Sequence, residues 1–147
     1  ADYWLKSSLR RFIALKVFNM VLVARQSGEP QAAVLQMAEA IDGGADLLIF
    51  PEGTRNASDN VLLQPFKSGL YHLAMARPEC ELLPVWIHNI QRVLPKGKLL
   101  PVPMLCSVRF GQPFRGGDFT EKEDFLAFAQ ATLLAQQPVL RQEERGL

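Results

Sequence analysis

The stretch that decides the fold is DLLIFPEGTR, residues 46–55. Its first half is a short apolar run, with Gly43 and Gly44 before it and a Pro-Glu-Gly turn after it. A compact apolar run between turn residues is typical of a strand buried on both faces of a sheet. The sequence therefore predicts a central strand that ends at Phe50, followed by a polar loop over residues 51–65.

The flanking segments predict alternating helices and strands. In chain order they are a helix near 7–18, a strand from Met20 to Ala24, a helix from Pro30 that ends at Gly43 and Gly44, the central strand, a helix near 67–77, strands over 81–87 and 105–110, and a last helix that Thr120 and Glu123 open as a capping box. Pro84 is expected to place part of its strand at an edge or a bulge. The inner face of the last helix is expected to include Phe125, Phe128 or Ala129, and Leu133.

This order of elements predicts an α/β fold with a partly parallel central sheet flanked by helices. The domain is expected to cover residues 1–136, with a polar tail over residues 137–147. In such sheets ligands bind at the carboxyl ends of the strands. The residues that follow Phe50 are therefore the first place to look for chemistry.

The loop after Phe50 carries groups that suit an anion. Gly53 allows a sharp turn and a close approach of a ligand to the backbone. Thr54 supplies a hydroxyl next to backbone N–H groups that can form an anion-binding concavity. Arg55 offers a planar fork of donors that matches phosphate oxygens, and Glu52 either holds Arg55 or accepts a hydrogen bond from a substrate hydroxyl. From the residues alone, an ordinary turn with an exposed arginine explains the pattern equally well.

Composition narrows the class of protein. The chain has 147 residues, of which 48% are hydrophobic and 21% charged, as in a folded domain. The formal net charge of +1 argues against a nucleic-acid-binding protein. Cys80 and Cys106 form no metal-binding pattern, so no metal is predicted; a reducing environment is expected, with a single disulfide as the alternative. No apolar run reaches the ~18–20 residues of a membrane span, but residues 10–18 suit either a membrane surface or a helix that leads into a core strand.

The hexapeptide FPEGTR, residues 50–55, resembles the signature of the glycerolipid acyltransferases. Further segments resemble the same family in the same order: VLVAR at 21–25, PFKSG at 65–69, LPVWI at 83–87, VLPKGK at 93–98 and VRFGQP at 108–113. The resemblance covers roughly residues 3–115. The chain is therefore similar to most of the second half of a lysophosphatidic acid (1-acyl-sn-glycerol-3-phosphate) acyltransferase domain.

The resemblance implies transfer of a fatty acyl group from acyl-CoA or acyl carrier protein to 1-acyl-glycerol 3-phosphate or a related lysophospholipid. It implies no cofactor, and a place at the cytoplasmic face of a membrane with peripheral contact. Carried onto the matching positions, it implies an acceptor-phosphate site made by Arg25, Glu52, Gly53, Thr54, Arg55 and Lys67. Ala24 stands where the family commonly has Asp, and Asn56 where it commonly has Ser.

The family's catalytic HxxxxD motif does not occur in these 147 residues. Five positions after His72 stands Arg77, and five after His88 stands Val93. His72 is therefore expected to be a helix side chain and His88 a loop residue, and no catalytic residue is predicted. We expect HxxxxD upstream of Ala1 and no acyl transfer by these residues alone.

Two alternatives to an acyltransferase remain open at this point. The first is a non-catalytic module that binds an anion or a glycerophosphate. The second is a hydrolase, for which the sequence offers neither a nucleophile nor a base, because Ser68 lacks the flanking glycines of a G-x-S-x-G elbow. Nucleotide-binding motifs are absent from the sequence.

Overall fold

A computed structural model gives the fold, and it describes residues 8, 12, 16, 30–54, 56, 61–89, 93 and 105–138. The helices and strands of this part are α1 (Pro30–Asp42), α2 (Gly69–Ala76), β1 (Glu81–Leu82), β2 (Val85–His88), β3 (Ser107–Phe110), β4 (Phe114–Arg115), a 3-10 helix (Gly116–Asp118) and α3 (Lys122–Leu134). The described chain thus mixes helices with small sheets, as an α/β protein does. Ser8 and Phe12 are helical, as predicted for residues 7–18, whereas the predicted strand over 20–24 lies outside the described residues.

The helix α1 ends where the two glycines predicted it. Gly44 adopts a left-handed backbone with φ of 82°. Its N–H donates to the Ile41 carbonyl at 2.8 Å, and the Ala45 N–H donates to the Ala40 carbonyl at 3.0 Å. This pair of bonds is the Schellman motif, which satisfies carbonyls at a helix end. The turn leads the chain out of α1 and toward residues 46–55.

The helices α1 and α2 pack against each other. Ala38 in α1 is 1% exposed, and Leu73 and Ala74 in α2 are each 5% exposed. Next to this contact, Nε of Arg77 donates to Oδ1 of Asp42 at 2.5 Å, and a second guanidinium nitrogen of Arg77 pairs with Oδ2 of Asp42. The bidentate pair therefore joins the carboxyl-terminal ends of the two helices.

Both sheets of the described residues are two-stranded and antiparallel. β1 pairs with β4, and β2 pairs with β3 with Val85 opposite Phe110 and Trp86 opposite Arg109. The predicted single strand over 81–87 is instead two strands in different sheets, with Pro84 between them, and the Pro84 carbonyl accepts a bond from the Gly111 N–H at 2.8 Å. The parallel part of the predicted sheet is not among these pairings and stays a prediction.

The predicted burial of residues 47–50 on both faces is wrong for the structure as described. These residues belong to neither of the two sheets. Leu48 is 73% and Phe50 65% exposed, whereas Leu47 and Ile49 are half-buried. This alternation has the two-residue period of an extended chain that is covered on one face. A strand is buried on both faces only when other elements pack on each face. In this part of the chain the described residues cover one face.

Aromatic side chains pack around α3. Phe125 is 0% exposed and its ring lies 5.5–6.0 Å, centroid to centroid, from those of Tyr71, Phe114 and Phe119. Ala129 is also buried, as predicted for the inner face, whereas Phe128 is 42% exposed. This cluster joins α2, β4 and α3 into one apolar core.

The predicted capping box at Thr120 and Glu123 is wrong. The helix α3 begins at Lys122, its N-cap is Glu121, and no side chain caps it. The carbonyl of Thr120 instead accepts a bond from the Tyr71 hydroxyl at 3.3 Å. Thr120 is thus placed by a contact with α2, one residue before the cap position, which local sequence does not reveal. Among the described residues, no helix has the length and apolar character needed to cross a membrane.

Candidate functional site

Residues 50–53 form a turn that the sequence of the loop dictates. The Gly53 N–H donates to the Phe50 carbonyl at 3.1 Å, which closes a β-turn. Gly53 has φ of 68°, a left-handed conformation that costs a residue with a Cβ roughly 1–2 kcal/mol. Gly53 and Thr54 are both exposed. The turn is therefore exposed to solvent at Gly53 and Thr54, the place that the sequence predicted for an anion.

Lys67 lies against this turn. Its N–H donates to the Pro51 carbonyl at 2.9 Å. A Cβ placed on Gly53 would lie 3.3 Å from Cγ of Lys67 and 3.9 Å from its Cε. The stem of the lysine thus runs across the glycine, and the ammonium nitrogen is one bond beyond Cε. Because Lys67 is exposed and α2 begins two residues later, a solvent-exposed cation and the positive end of a helix dipole lie close to the turn.

The Glu52 side chain connects the start of the loop to its returning part. Its Oε2 accepts a hydrogen bond from the Gln64 backbone N–H at 2.5 Å. The Gln64 side chain in turn donates to Oδ1 of Asn56 at 3.1 Å, and Nδ2 of Asn56 donates to the Val61 carbonyl at 2.6 Å. These bonds hold the segment that leads to Lys67 against the turn.

The structure brings four of the predicted site residues together, namely Glu52, Gly53, Thr54 and Lys67. Arg25 and Arg55, the two predicted phosphate-binding arginines, lie outside the described residues. Glu52 lies within the turn at the start of the loop, and Lys67 comes shortly after the end of the loop. Sequence reasoning missed the contribution of Gln64, because its partners are 8 and 12 residues away and no local pattern announces them.

The two histidines lie in regular structure. His72 is in α2, with its ring packed edge-on to Tyr71 at 5.7 Å between centroids, which confirms the predicted helix side chain. His88 is the last residue of β2 and pairs with Ser107 in β3, so its predicted place in a loop is wrong. The ladder with β3 extends the strand by one residue beyond the apolar run. No group of three His, Cys, Asp or Glu side chains that could hold a metal ion occurs within the described residues.

Comparison with known proteins identifies relatives of the chain. Residues 8–88 match the family model described as Acyltransferase. A 1-acyl-sn-glycerol-3-phosphate acyltransferase of Limnanthes alba is 30% identical over 95 residues, which are 62% of this chain and 33% of that protein. A protein of the same name from Cocos nucifera is 28% identical over 98 residues, which are 64% of this chain and 31% of that protein. The match thus spans about a third of the length of these relatives, and no solved structure matches the chain.

The family match includes α1, the turn with Gly53, Lys67, α2 and β2, so it covers both sides of the candidate site. It also spans more than half of the 147 residues. The resemblance expected from FPEGTR and the segments around it is therefore confirmed. The chain belongs to the acyltransferase family.

Proposed function

We propose that the protein transfers a fatty acyl group from acyl-CoA or acyl carrier protein to the free hydroxyl of 1-acyl-glycerol 3-phosphate or a related lysophospholipid. The observation that carries the proposal is the exposed Gly53 turn, with the stem of Lys67 lying across it. The printed names of the relatives support the same acceptor, since they are 1-acyl-sn-glycerol-3-phosphate acyltransferases.

Each described residue of the turn has a role in holding the acceptor phosphate. Gly53 allows the left-handed turn and leaves room for the Lys67 stem, which brings the lysine to the exposed backbone that the phosphate approaches. Thr54 donates from its hydroxyl, and Lys67 supplies a positive charge. A hydrogen bond between charged partners contributes about 1.5–3 kcal/mol. Arg55 and Arg25 complete the site by resemblance, and Glu52 positions the loop through the Gln64 N–H.

The reaction requires no cofactor, because the acyl group arrives activated as a thioester. The acceptor oxygen forms a bond to the thioester carbonyl carbon, the carbon–sulfur bond breaks, and the thiol leaves. The acceptor hydroxyl gives its proton to a general base, which is worth about 10²–10⁴-fold in rate. The family's HxxxxD motif is absent from the 147 residues, so we propose that they bind the acceptor and that the base lies elsewhere in the protein. Because the proposed acceptor is a membrane lipid, we propose that the reaction takes place at a membrane, at the cytoplasmic face that the resemblance implies.

The test is an acyl-transfer assay on the natural gene product. The protein is given 1-acyl-glycerol 3-phosphate with acyl-CoA and, separately, with acyl carrier protein carrying the same acyl group. We expect 1,2-diacyl-glycerol 3-phosphate and one equivalent of free thiol with at least one donor. Failure with both donors, together with saturable binding of glycerol 3-phosphate, would instead identify a non-catalytic glycerophosphate-binding module.

A further inference from the structure

Asn56 and Gln64 form a pair of amides beside the turn. The Gln64 side chain donates from Nε2 to Oδ1 of Asn56 at 3.1 Å. Both residues are half-buried, unlike the exposed Thr54 that precedes them. Asparagine and glutamine side chains can donate and accept at once. The pair can therefore form hydrogen bonds to more than one segment of the loop at the same time.

Each residue makes a second bond across the loop, Asn56 through its side chain and Gln64 through its backbone N–H. Nδ2 of Asn56 donates to the Val61 carbonyl at 2.6 Å. The backbone N–H of Gln64 donates to Oε2 of Glu52 at 2.5 Å. The two residues thus tie the outgoing half of the loop, 52–56, to its returning half, 61–64. These hydrogen bonds connect the two ends of the loop.

The returning half delivers Lys67 to the turn. Two residues, Pro65 and Phe66, separate Gln64 from Lys67. Proline fixes its own φ, which removes one of the backbone rotations between Gln64 and the lysine. The Lys67 N–H then meets the Pro51 carbonyl at 2.9 Å, and its stem runs across Gly53. The amide pair and the bond from Lys67 to Pro51 therefore hold the chain on both sides of Pro65 and Phe66.

We propose that Asn56 and Gln64 are positioning residues for the acceptor phosphate. They hold the Lys67 stem over the Gly53 turn before the acceptor arrives, so that binding does not have to order the loop. This inference rests on the proposed function, since it needs the turn to bind the acceptor. The inference predicts that loss of the amide pair raises the KM for the acceptor and leaves the KM for the acyl donor unchanged.

The experiment measures KM for 1-acyl-glycerol 3-phosphate and for the acyl donor in the natural enzyme. Gln64→Met keeps the length of the side chain and the backbone N–H but removes Nε2. Asn56→Ala removes both bonds of the other amide. We expect each variant to raise the acceptor KM by about three- to tenfold, with the donor KM unchanged. Because the two amides act together, the double variant should cost less than the product of the single effects.

A matched control is available in Gln136. It is also half-buried, and its Nε2 donates to the Thr132 carbonyl at 3.2 Å. Gln136→Met removes the same atoms from another part of the chain, so it should leave the acceptor KM unchanged. If Gln64→Met fails to fold, Asn56→Ser tests the same contact from its other partner, because it removes the acceptor Oδ1.

Lys67→Met separates failure of the inference from failure of the proposed function. If Lys67→Met leaves the acceptor KM unchanged, Lys67 does not hold the phosphate and the positioning role is overturned, whereas the proposed function is overturned only if the natural gene product forms no 1,2-diacyl-glycerol 3-phosphate. If Lys67→Met raises the acceptor KM but the amide variants do not, the positioning role alone is overturned. Equal rises in the acceptor and donor KM of the amide variants overturn it as well, because a general loss of structure would affect both substrates.

Discussion

Two glycines in the described part of the chain adopt a left-handed backbone, and they differ in their surroundings. Gly44 ends α1, and a Cβ added there would meet nothing within 4 Å. Gly53 is at the turn, and a Cβ there would lie 3.3 Å from Cγ of Lys67. Gly44 is therefore required only for the left-handed backbone conformation at the end of α1. Gly53 also leaves room for the lysine stem.

Alanine substitutions should separate these two roles. Gly44→Ala and Gly53→Ala should each lower the free energy of unfolding by about 1–2 kcal/mol, the cost of a Cβ in the left-handed region. Gly53→Ala should in addition raise the acceptor KM, because the new methyl group displaces Lys67. Urea unfolding and steady-state kinetics on the natural protein measure the two effects. Similar acceptor KM values in the two variants would contradict the role given to Gly53.

At the scale of elements, the 3-10 helix packs directly on α2. A Cβ added to Gly116 would lie 2.6 Å from the Ala74 carbonyl oxygen and 2.8 Å from the Ala74 Cβ. Real Cβ atoms do not approach backbone that closely, so one of the elements would have to move. Gly69, at the start of α2, has open space instead. Both glycines lie in helical segments of the same core.

Gly116→Ala should therefore destabilise the protein by about 1–3 kcal/mol, the usual cost of overpacking. Gly69→Ala should be neutral or stabilising by up to about 1 kcal/mol, because alanine restricts the unfolded chain. Urea unfolding midpoints of the two variants give the comparison. A loss of stability in Gly69→Ala equal to that in Gly116→Ala would show that the close contact with Ala74 is not the cause.

The pair between Asp42 and Arg77 makes the α1–α2 contact sensitive to acid. Hydrogen bonds from the Arg77 side chain, helped by its charge, hold the pKa of Asp42 below its ordinary value. A carboxyl with a lowered pKa in the folded state stabilises that state above its unfolded-state pKa of about 4. The contribution is lost as the pH falls through the folded-state pKa. Both side chains are partly exposed, so solvent screening keeps it small.

Asp42→Asn should accordingly lower the unfolding midpoint at pH 7, and the difference from the unsubstituted protein should shrink as the pH falls below about 4. Arg77→Met should show the same dependence, because it removes the other partner. The measurement is the urea midpoint of each protein across this pH range. A difference that stays constant down to about pH 2 would contradict the sign derived from the lowered pKa.

The sequence predicted those structural elements that depend on interactions between residues close together in the chain. The glycines after Asp42 end α1 because only glycine adopts the backbone of the Schellman motif without strain. The two-residue strand β4 was not predicted, because Phe114 and Arg115 show no period and gain strand geometry only by pairing with β1. At the site, Gly53 and Thr54 follow from the loop chemistry. The bond from Gln64 to Glu52 joins residues 12 apart, and only the folded chain reveals it.

At the scale of the whole molecule, large apolar side chains remain exposed beside the turn and on β3. Phe50 is 65%, Leu105 93% and Phe110 64% exposed. Where such side chains adjoin one another, they form the kind of apolar patch that contacts a partner, a ligand or a lipid. The matched region is also about a third of the length of the curated relatives. Activity therefore has to be judged on the natural gene product.

The 147 residues on their own should not transfer acyl groups, because they lack the HxxxxD motif. The comparison is the same acyl-transfer assay on this chain and on the natural gene product. We expect product from the gene product and none from the isolated chain, together with association of the chain in the absence of detergent. Equal rates from the two would show that the general base lies within these residues.

The central claim is that the acceptor phosphate binds at the Gly53 turn. The most direct measurement compares kcat/KM for 1-acyl-glycerol 3-phosphate with kcat/KM for 1-acyl-glycerol, which lacks the phosphate. Arg55→Lys and Lys67→Met should each reduce the preference for the phosphorylated acceptor by about tenfold or more, with the unphosphorylated acceptor and the acyl donor little affected. An unchanged preference in both variants would contradict the account.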